Sequence, residues 1–156
     1  MGYNSGVMRT IFDNDTHSEL HERLDRLTPE AARQWGKMSP SQMMEHTARA
    51  IEMATGAVPM NQHLLGKAIG WIFKGRFLGE QPFSKNSPTG PTLIIQDEPD
   101  FEAARSRLKA LMVDLHTKGP AGTDGNVHGF FGPLTGDEWG ICQYKHVDHH
   151  LRQFGV

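Results

Sequence analysis

Residues 39–56, SPSQMMEHTARAIEMATG, have the pattern of one complete amphipathic helix. Ser39 is a preferred N-cap residue, Pro40 suits the first helical position, and Gln42 follows at the third position to complete a capping box. Gly56 supplies the stop signal. Between these ends, an inward-facing stripe repeats at helical spacing and consists of Met43, Thr47, Ile51 and Ala54. The stretch therefore predicts a helix that packs one face against other helices.

Four more helices are predicted on either side of it, over about residues 15–27, 62–77, 100–118 and 135–155. The 62–77 segment contains three glycines, each costing roughly 1 kcal/mol relative to alanine unless it permits close packing. Long loops are predicted at 79–99 and 119–133, and TLIIQ in the first loop is a candidate strand without an evident partner. Four substantial amphipathic helices joined by long loops predict an all-α four-helix bundle, with a single domain over residues 1–156.

The composition is that of a globular protein without a surplus of either charge. Hydrophobic residues make up 37% of the 156 residues, charged residues make up 22%, and the net charge is −2. This balance argues against nucleic acid or an anionic membrane as a partner. No apolar run is long enough to span a bilayer or to act as a secretory signal, and the single cysteine, Cys142, forms no disulfide within the chain. We therefore expect a cytoplasmic protein.

The last predicted helix carries three histidines within five residues, His146, His149 and His150. On a helical wheel of about 100° per residue centred on Val147, His150 lies about 60° and His146 about 100° to the same side, whereas His149 lies about 160° away. His146 and His150 thus stack one turn apart at the edge of the buried face, and His149 faces solvent or a partner. Two imidazoles at this spacing can bind one metal ion.

A third imidazole is available on the helix of residues 39–56. His46 lies about 100° from Thr47, at the flank of the inward stripe, so three imidazoles can meet if the two helices are neighbours. Three neutral nitrogens leave coordination positions open for water or substrate, as in catalytic rather than structural zinc sites. The spacing alone leaves an alternative open, because His17 and His21 have the same four-residue step on the first helix.

Two segments resemble the DinB superfamily of predicted metalloenzymes, in particular a bacterial branch of unknown function. They are QWGKMSPSQMMEHTARAIEMATG, residues 34–56, and FFGPLTGDEWGICQYKHVDHHLRQFGV, residues 130–156. The resemblance implies a four-helix bundle with a histidine on the second helix and a His-x-x-x-His pair on the last helix. At matching positions of this chain, these are His46, His146 and His150. Relatives include transferases and isomerases that use low-molecular-weight thiols, and many members are dimers.

The expected function follows from this resemblance and from the histidines. We expect a divalent transition metal, zinc or nickel, with iron and copper also compatible with imidazole ligands. The metal would activate water or a thiol for transfer or hydrolysis of a small molecule. We also expect a homodimer. The alternative is a non-catalytic metal-binding or stress-associated dimeric bundle protein.

Several other side chains are candidates for the surroundings of this site. Glu45 could orient an imidazole, Tyr144 could supply a phenol to the cleft, and His128 could approach an open end of the bundle. Asp148 points away from His146 on the wheel and is expected to be a surface carboxylate. Cys142 lies one turn before His146, but a single helical cysteine is typical of a small hydrophobic side chain in a core.

Overall fold

A computed structural model describes residues 8–156, and this part of the chain is mostly helical. The helices are α1 (Asn14–Asp25), α2 (Pro40–Ala54), α3 (Leu64–Leu78), α4 (Phe101–Lys118) and α5 (Gly136–Gln153). Two short strands, β1 (Val127–His128) and β2 (Gly132–Pro133), pair as an antiparallel hairpin, and two 3-10 turns cover Pro91–Leu93 and Pro120–Gly122. None of these helices is long and apolar enough to cross a bilayer.

The local signals at the helix ends act as the sequence predicts. The Ser39 hydroxyl accepts from the Gln42 backbone N–H, and the Gln42 side chain accepts in return from the Ser39 N–H, both at 3.1 Å. Thr135 and Glu138 form the same reciprocal capping box at the start of α5. Each box satisfies two backbone donors that the first turn of a helix leaves unpaired. These caps fix where α2 and α5, the two helices that carry the candidate site, begin.

Four of the helices, α1, α2, α4 and α5, share one apolar core. Its members include Leu20 and Leu24 from α1, Met44 and Ile51 from α2, Leu108 and Met112 from α4, and Val147 and Leu151 from α5. α2 packs against both α4 and α5, while α1 contacts α4 and α5. Because α2 and α5 are neighbours, the histidine-bearing flanks of these two helices face a common space.

α3 lies outside this core and packs against the hairpin and α5. The backbone carbonyl of Phe130 approaches so closely that a Cβ on Gly66 would lie 2.1 Å from it, and one on Gly70 would lie 2.5 Å from it. Two of the three helical glycines therefore do permit close packing, although against loop backbone and not against another helix. Gly75 has no neighbour within 4 Å. The opposite face of α3 exposes large apolar side chains, including Leu64 and Trp71.

The segment TLIIQ, residues 92–96, is not a strand, so this prediction is wrong. Residues Pro91–Leu93 form a 3-10 turn that packs on α2, and the only sheet within residues 8–156 is the β1–β2 hairpin. A strand needs a partner to satisfy its backbone groups, and no partner lies beside this segment. The carbonyl of Leu93 instead accepts a hydrogen bond from a side chain of α2.

Candidate metal site

α2 and α5 bring His46, His146 and His150 together. Each of the three residues offers one ring nitrogen within 4.8 Å of the others. The ring centroids of His46 and His146 are 4.9 Å apart, and the ring of His150 lies 4.7 Å from each of them. No carboxylate or cysteine of residues 8–156 joins the set. Three imidazoles without a fourth protein ligand are the donor set of an open metal site.

Hydrogen bonds orient two of the three rings. The Nδ1–H of His46 donates to the backbone carbonyl of Leu93 at 2.9 Å, and the Nδ1–H of His150 donates to the side-chain Oε1 of Gln153 at 2.9 Å. Gln153 is itself held because its amide donates to the Trp35 carbonyl at 2.8 Å. Since both acceptors are oxygens, these bonds assign the ring proton to Nδ1 and leave Nε2 with its lone pair. This tautomer and this support are typical of histidine metal ligands.

His146 makes the closest contact within the cluster. Its Nε2 lies 3.0 Å from the Nε2 of His46, while its Nδ1 is buried without a hydrogen-bond partner among residues 8–156. Two ring nitrogens at this distance need a proton or a cation between their lone pairs. Two imidazoles on one zinc ion, with Zn–N bonds of about 2.0–2.1 Å, have nitrogens about 2.9–3.4 Å apart. The observed separation therefore fits two ligands of one ion.

The electrostatic environment keeps the three rings neutral. Burial, followed by repulsion from His46, lowers the pKa of His150 to about 3. Burial and the neighbouring His150 and His46 lower the pKa of His146 well below its ordinary value, and burial lowers that of His46. A neutral imidazole is the form that binds a metal, so the cluster needs to lose no proton at neutral pH before binding.

Two acidic residues take positions that differ from the sequence expectation. Glu45 accepts from Arg49 at 3.2 Å and from Arg107 at 3.3 Å, so its carboxylate joins a lateral ion-pair network and does not orient an imidazole. Asp148 is 7% exposed and pairs with Arg23 at 2.7 Å, so the prediction of a surface carboxylate is wrong. The wheel could not show this because Arg23 comes from α1, which covers that side of α5.

Cys142 is buried beside Ala54, Leu134 and Trp139, and burial raises the pKa of its thiol to about 12. It acts as a small hydrophobic side chain, as expected from its place on the helix.

His149 and Tyr144 line a cavity of about 210 Å³ next to the cluster. The ring of His149 lies 5.4 Å from that of Trp35, 6.2 Å from that of Phe83 and 5.1 Å from that of His150. His149 is thus half-buried between aromatic rings. Tyr144 faces the guanidinium of Arg9 at 4.7 Å. Neither belongs to the three-histidine set, but His149 separates the cavity from His150.

His128 lies in β1 and contacts the hairpin backbone. Its Nδ1 accepts from the backbone N–H groups of Phe130 and Phe131 at 3.1 and 3.3 Å. The ring packs near Phe131 and Trp139, and burial lowers its pKa to about 4. His128 therefore shapes the hairpin, and its ring nitrogens do not join those of the cluster.

Sequence reasoning missed the two groups that orient the rings. Gln153 follows His150 by three residues on the same helix, and this spacing alone could have identified it. The Leu93 carbonyl has no such signal, because it comes from a loop 47 residues away from His46.

Comparison with known proteins places the chain in one family. The sequence model of a family described as a protein of unknown function (DUF1569) matches residues 10–155. No curated protein and no solved structure matches the chain.

Proposed function

The chain belongs to the DUF1569 family, whose function is unknown, and we propose from its own residues that it is a metal-dependent enzyme. His46, His146 and His150 hold a divalent transition ion in this proposal, and the substrate is a small molecule that undergoes transfer or hydrolysis. The observation that carries the proposal is the convergence of three ring nitrogens within 4.8 Å, from two helices, without a fourth protein ligand.

The donor set supports zinc or nickel as the ion, with iron and copper as further ions that imidazole accepts. A divalent ion lowers the pKa of a coordinated water or thiol and so supplies a nucleophile at neutral pH. The protein contributes the neutral imidazoles, their fixed tautomers and a largely buried surrounding. Leu93 and Gln153 act through His46 and His150 by holding ring orientation.

The cavity beside His149 is the proposed place for the substrate. Its volume of about 210 Å³ suits a small molecule, and its walls combine the aromatic rings of Trp35 and Phe83 with Tyr144, His149 and five charged residues, which are Glu80, Lys85, Lys145, Asp148 and Arg152. A low-molecular-weight thiol is the proposed nucleophile or co-substrate. Because His149 contacts both this cavity and His150, a ligand in the cavity lies one side chain away from the cluster.

Metal analysis of untagged protein tests the site directly. We expect about one transition ion per chain after dialysis, and we expect His146→Ala combined with His150→Ala to remove most of it. The control is His63→Ala, which removes an exposed histidine outside the cluster. If the double variant keeps more than half of the metal, the assignment of the ligands is wrong.

Cobalt substitution separates an enzyme from a non-catalytic metal protein. A cobalt ion with an open position changes its visible spectrum when a small thiol or azide binds, whereas a closed coordination shell gives no change. An unchanged spectrum favours the second candidate, a non-catalytic metal-binding or stress-associated protein on the same fold. Both candidates use the same three histidines.

The architecture that we propose is a DinB-like four-helix bundle. Support comes from the single core that α1, α2, α4 and α5 share, with α3 outside it. The placement of the histidines on the second and last helices of the chain supports the same relationship.

We also propose that the exposed face of α3 is covered by a second copy of the chain. The exposed apolar side chains of this helix are Leu64 (83%), Leu65 (63%), Trp71 (74%), Ile72 (55%) and Phe73 (48%). Burying a side chain of this size fully contributes about 1.5–3 kcal/mol. A standard interface buries about 800 Å² per partner, and five such side chains form a large part of that area.

Light scattering on a gel-filtration column tests the homodimer. We expect a dimer for the wild type and a monomer when Leu65→Glu and Ile72→Glu are combined. Val113→Glu changes an exposed apolar residue on α4 instead and should leave the dimer intact. A monomeric wild type would contradict the proposal.

A further inference from the structure

A second pair of histidines converges on the other side of the helical core. His17 and His21 lie one turn apart on α1, and their Nε2 atoms are 3.1 Å apart. This separation is nearly the same as the 3.0 Å between the Nε2 atoms of His46 and His146. Each of the two rings on α1 is partly exposed, so an ion from solvent can reach the nitrogens.

The ring of His17 is held in place by α4. It stacks on the ring of His116 with centroids 4.2 Å apart and planes 24° from parallel. His116 is a support and not a ligand, because its Nδ1–H donates to the Ile11 carbonyl at 3.1 Å and its Nε2, the acceptor nitrogen of that tautomer, lies 3.0 Å from the side-chain amide of Asn14.

We propose that His17 and His21 form a second binding site for a divalent transition metal ion, with water in its remaining coordination positions. The four-residue step on a helix is the spacing at which two imidazoles chelate one ion. Bonds of about 2.0–2.1 Å from one ion to two nitrogens at roughly a right angle give a nitrogen separation of about 2.9 Å, close to that observed.

The charges around the pair are compatible with a bound cation. Burial, followed by the neighbouring His21 and His116, lowers the pKa of His17 to about 4, and burial, Lys109 and His116 lower the pKa of His21, so both rings are neutral at pH 7. Lys109 lies near His21, but its ammonium is paired at 2.6 Å with Asp25, which lies on the same side. With two protein ligands, this site binds metal more weakly than the three-histidine cluster, and its affinity should follow the order copper above nickel and zinc.

Calorimetric titration of the metal-free, untagged protein with Zn²⁺ tests the second site. We expect the wild type to bind two ions per chain, and the combined His17→Gln and His21→Gln variant to bind one. Loss of only a hydrogen-bond partner of a metal ligand lowers metal affinity by about 10- to 100-fold. Loss of both ligand rings should therefore weaken the affinity of the second site by at least about 10-fold. His63→Gln should retain both ions and controls for the removal of an exposed histidine.

A second measurement does not depend on a variant that folds. Cu²⁺ added beyond the first equivalent per chain, so that the three-histidine cluster is already filled, should broaden the ring proton signals of His17 and His21 while leaving those of His63 sharp. Two bound Zn²⁺ ions in the His17/His21 variant, or unbroadened signals of both rings, would overturn the inference.

The two metal proposals fail independently. If the three-histidine cluster binds no metal, the combined His146→Gln and His150→Gln variant binds as many Zn²⁺ ions as the wild type. The combined His17→Gln and His21→Gln variant still binds one ion fewer than the wild type in that case.

Discussion

Acid should destabilise the metal-free protein through His128 by an amount that follows from its hydrogen bonds. The Nδ1 of this ring accepts from the backbone N–H groups of Phe130 and Phe131, so a proton on Nδ1 would displace both bonds. Burial removes the ring from water and lowers its pKa from 6.5 to about 4. The native state therefore resists a proton that the unfolded chain takes up readily.

The sign and size of the effect follow from proton linkage. Below pH 6.5 the unfolded chain binds a proton at His128 more readily than the native protein does. The full free energy of unfolding is therefore present above this pH, and part of it is lost as the pH falls towards 4. Each unit of pKa difference corresponds to about 1.4 kcal/mol. Between pH 7 and pH 5, His128 alone should lower the free energy of unfolding by about 2 kcal/mol, and by about 3 kcal/mol when the pH reaches 4.

His128→Asn isolates this contribution. The asparagine Oδ1 can take the place of Nδ1 as acceptor for both backbone groups, but it does not titrate. Urea unfolding followed by tryptophan fluorescence, at several pH values and with EDTA present, gives the free energy of unfolding for each protein. We expect the variant to be less stable at pH 7 because it loses ring packing, yet to lose about 2 kcal/mol less than the wild type on going to pH 5.

His63→Asn serves as the control for replacing an exposed imidazole. The other histidines are the same in both proteins, so the difference between wild type and variant reports His128. Parallel pH profiles for the wild type and His128→Asn would refute the reasoning, since they would show that the ring is accessible to protons in the native state.

Three further changes have expected outcomes. Gly66→Ala places a Cβ 2.1 Å from the Phe130 carbonyl and should lower the free energy of unfolding by about 1–3 kcal/mol in urea titrations, whereas Gly75→Ala, with no neighbour within 4 Å, should raise it by up to about 1 kcal/mol. Arg23→Gln removes the more buried of the two arginines that pair with Asp148, while Arg152 stays at 3.0 Å, and should cost about 1–3 kcal/mol in the same assay; a cost below about 0.5 kcal/mol would show a solvated pair. Zinc at about 100 times its dissociation constant should stabilise the wild type by about 2.7 kcal/mol, which corresponds to a rise of roughly 5–11 °C in Tm by calorimetry.

Local sequence signals predicted the helices because the determinants lie within a few residues of each other. The capping boxes of α2 and α5 and the apolar stripe of α2 depend on neighbouring side chains and backbone, and all are present in the structure. The same locality explains the failures. TLIIQ lacks a partner strand, and the carboxylate of Asp148 meets an arginine 125 residues away. A wheel drawn for one helix contains neither fact.

The exposed face of α3 is a similar case. The 62–77 segment is apolar enough to be read as a core helix, yet the shared core is already filled by α1, α2, α4 and α5. Gly66 and Gly70 anchor α3 to the hairpin backbone, and this leaves its large side chains outside. Hydrophobicity predicts that such a face will be covered but does not identify what covers it.

The sequence by itself determined the spacing of the histidines. A four-residue step fixes His146 beside His150, and His17 beside His21, because 3.6 residues complete one helical turn. Spacing alone did not distinguish the two pairs; the resemblance favoured the pair on the last helix, and only the tertiary structure gives the physical reason. Packing of α2 on α5 carries His46 to the first pair across 100 residues of sequence, and the Leu93 carbonyl fixes its tautomer. Packing of α1 on α4 brings His116 to the second pair with both ring nitrogens already bonded, so two nitrogens converge there instead of three.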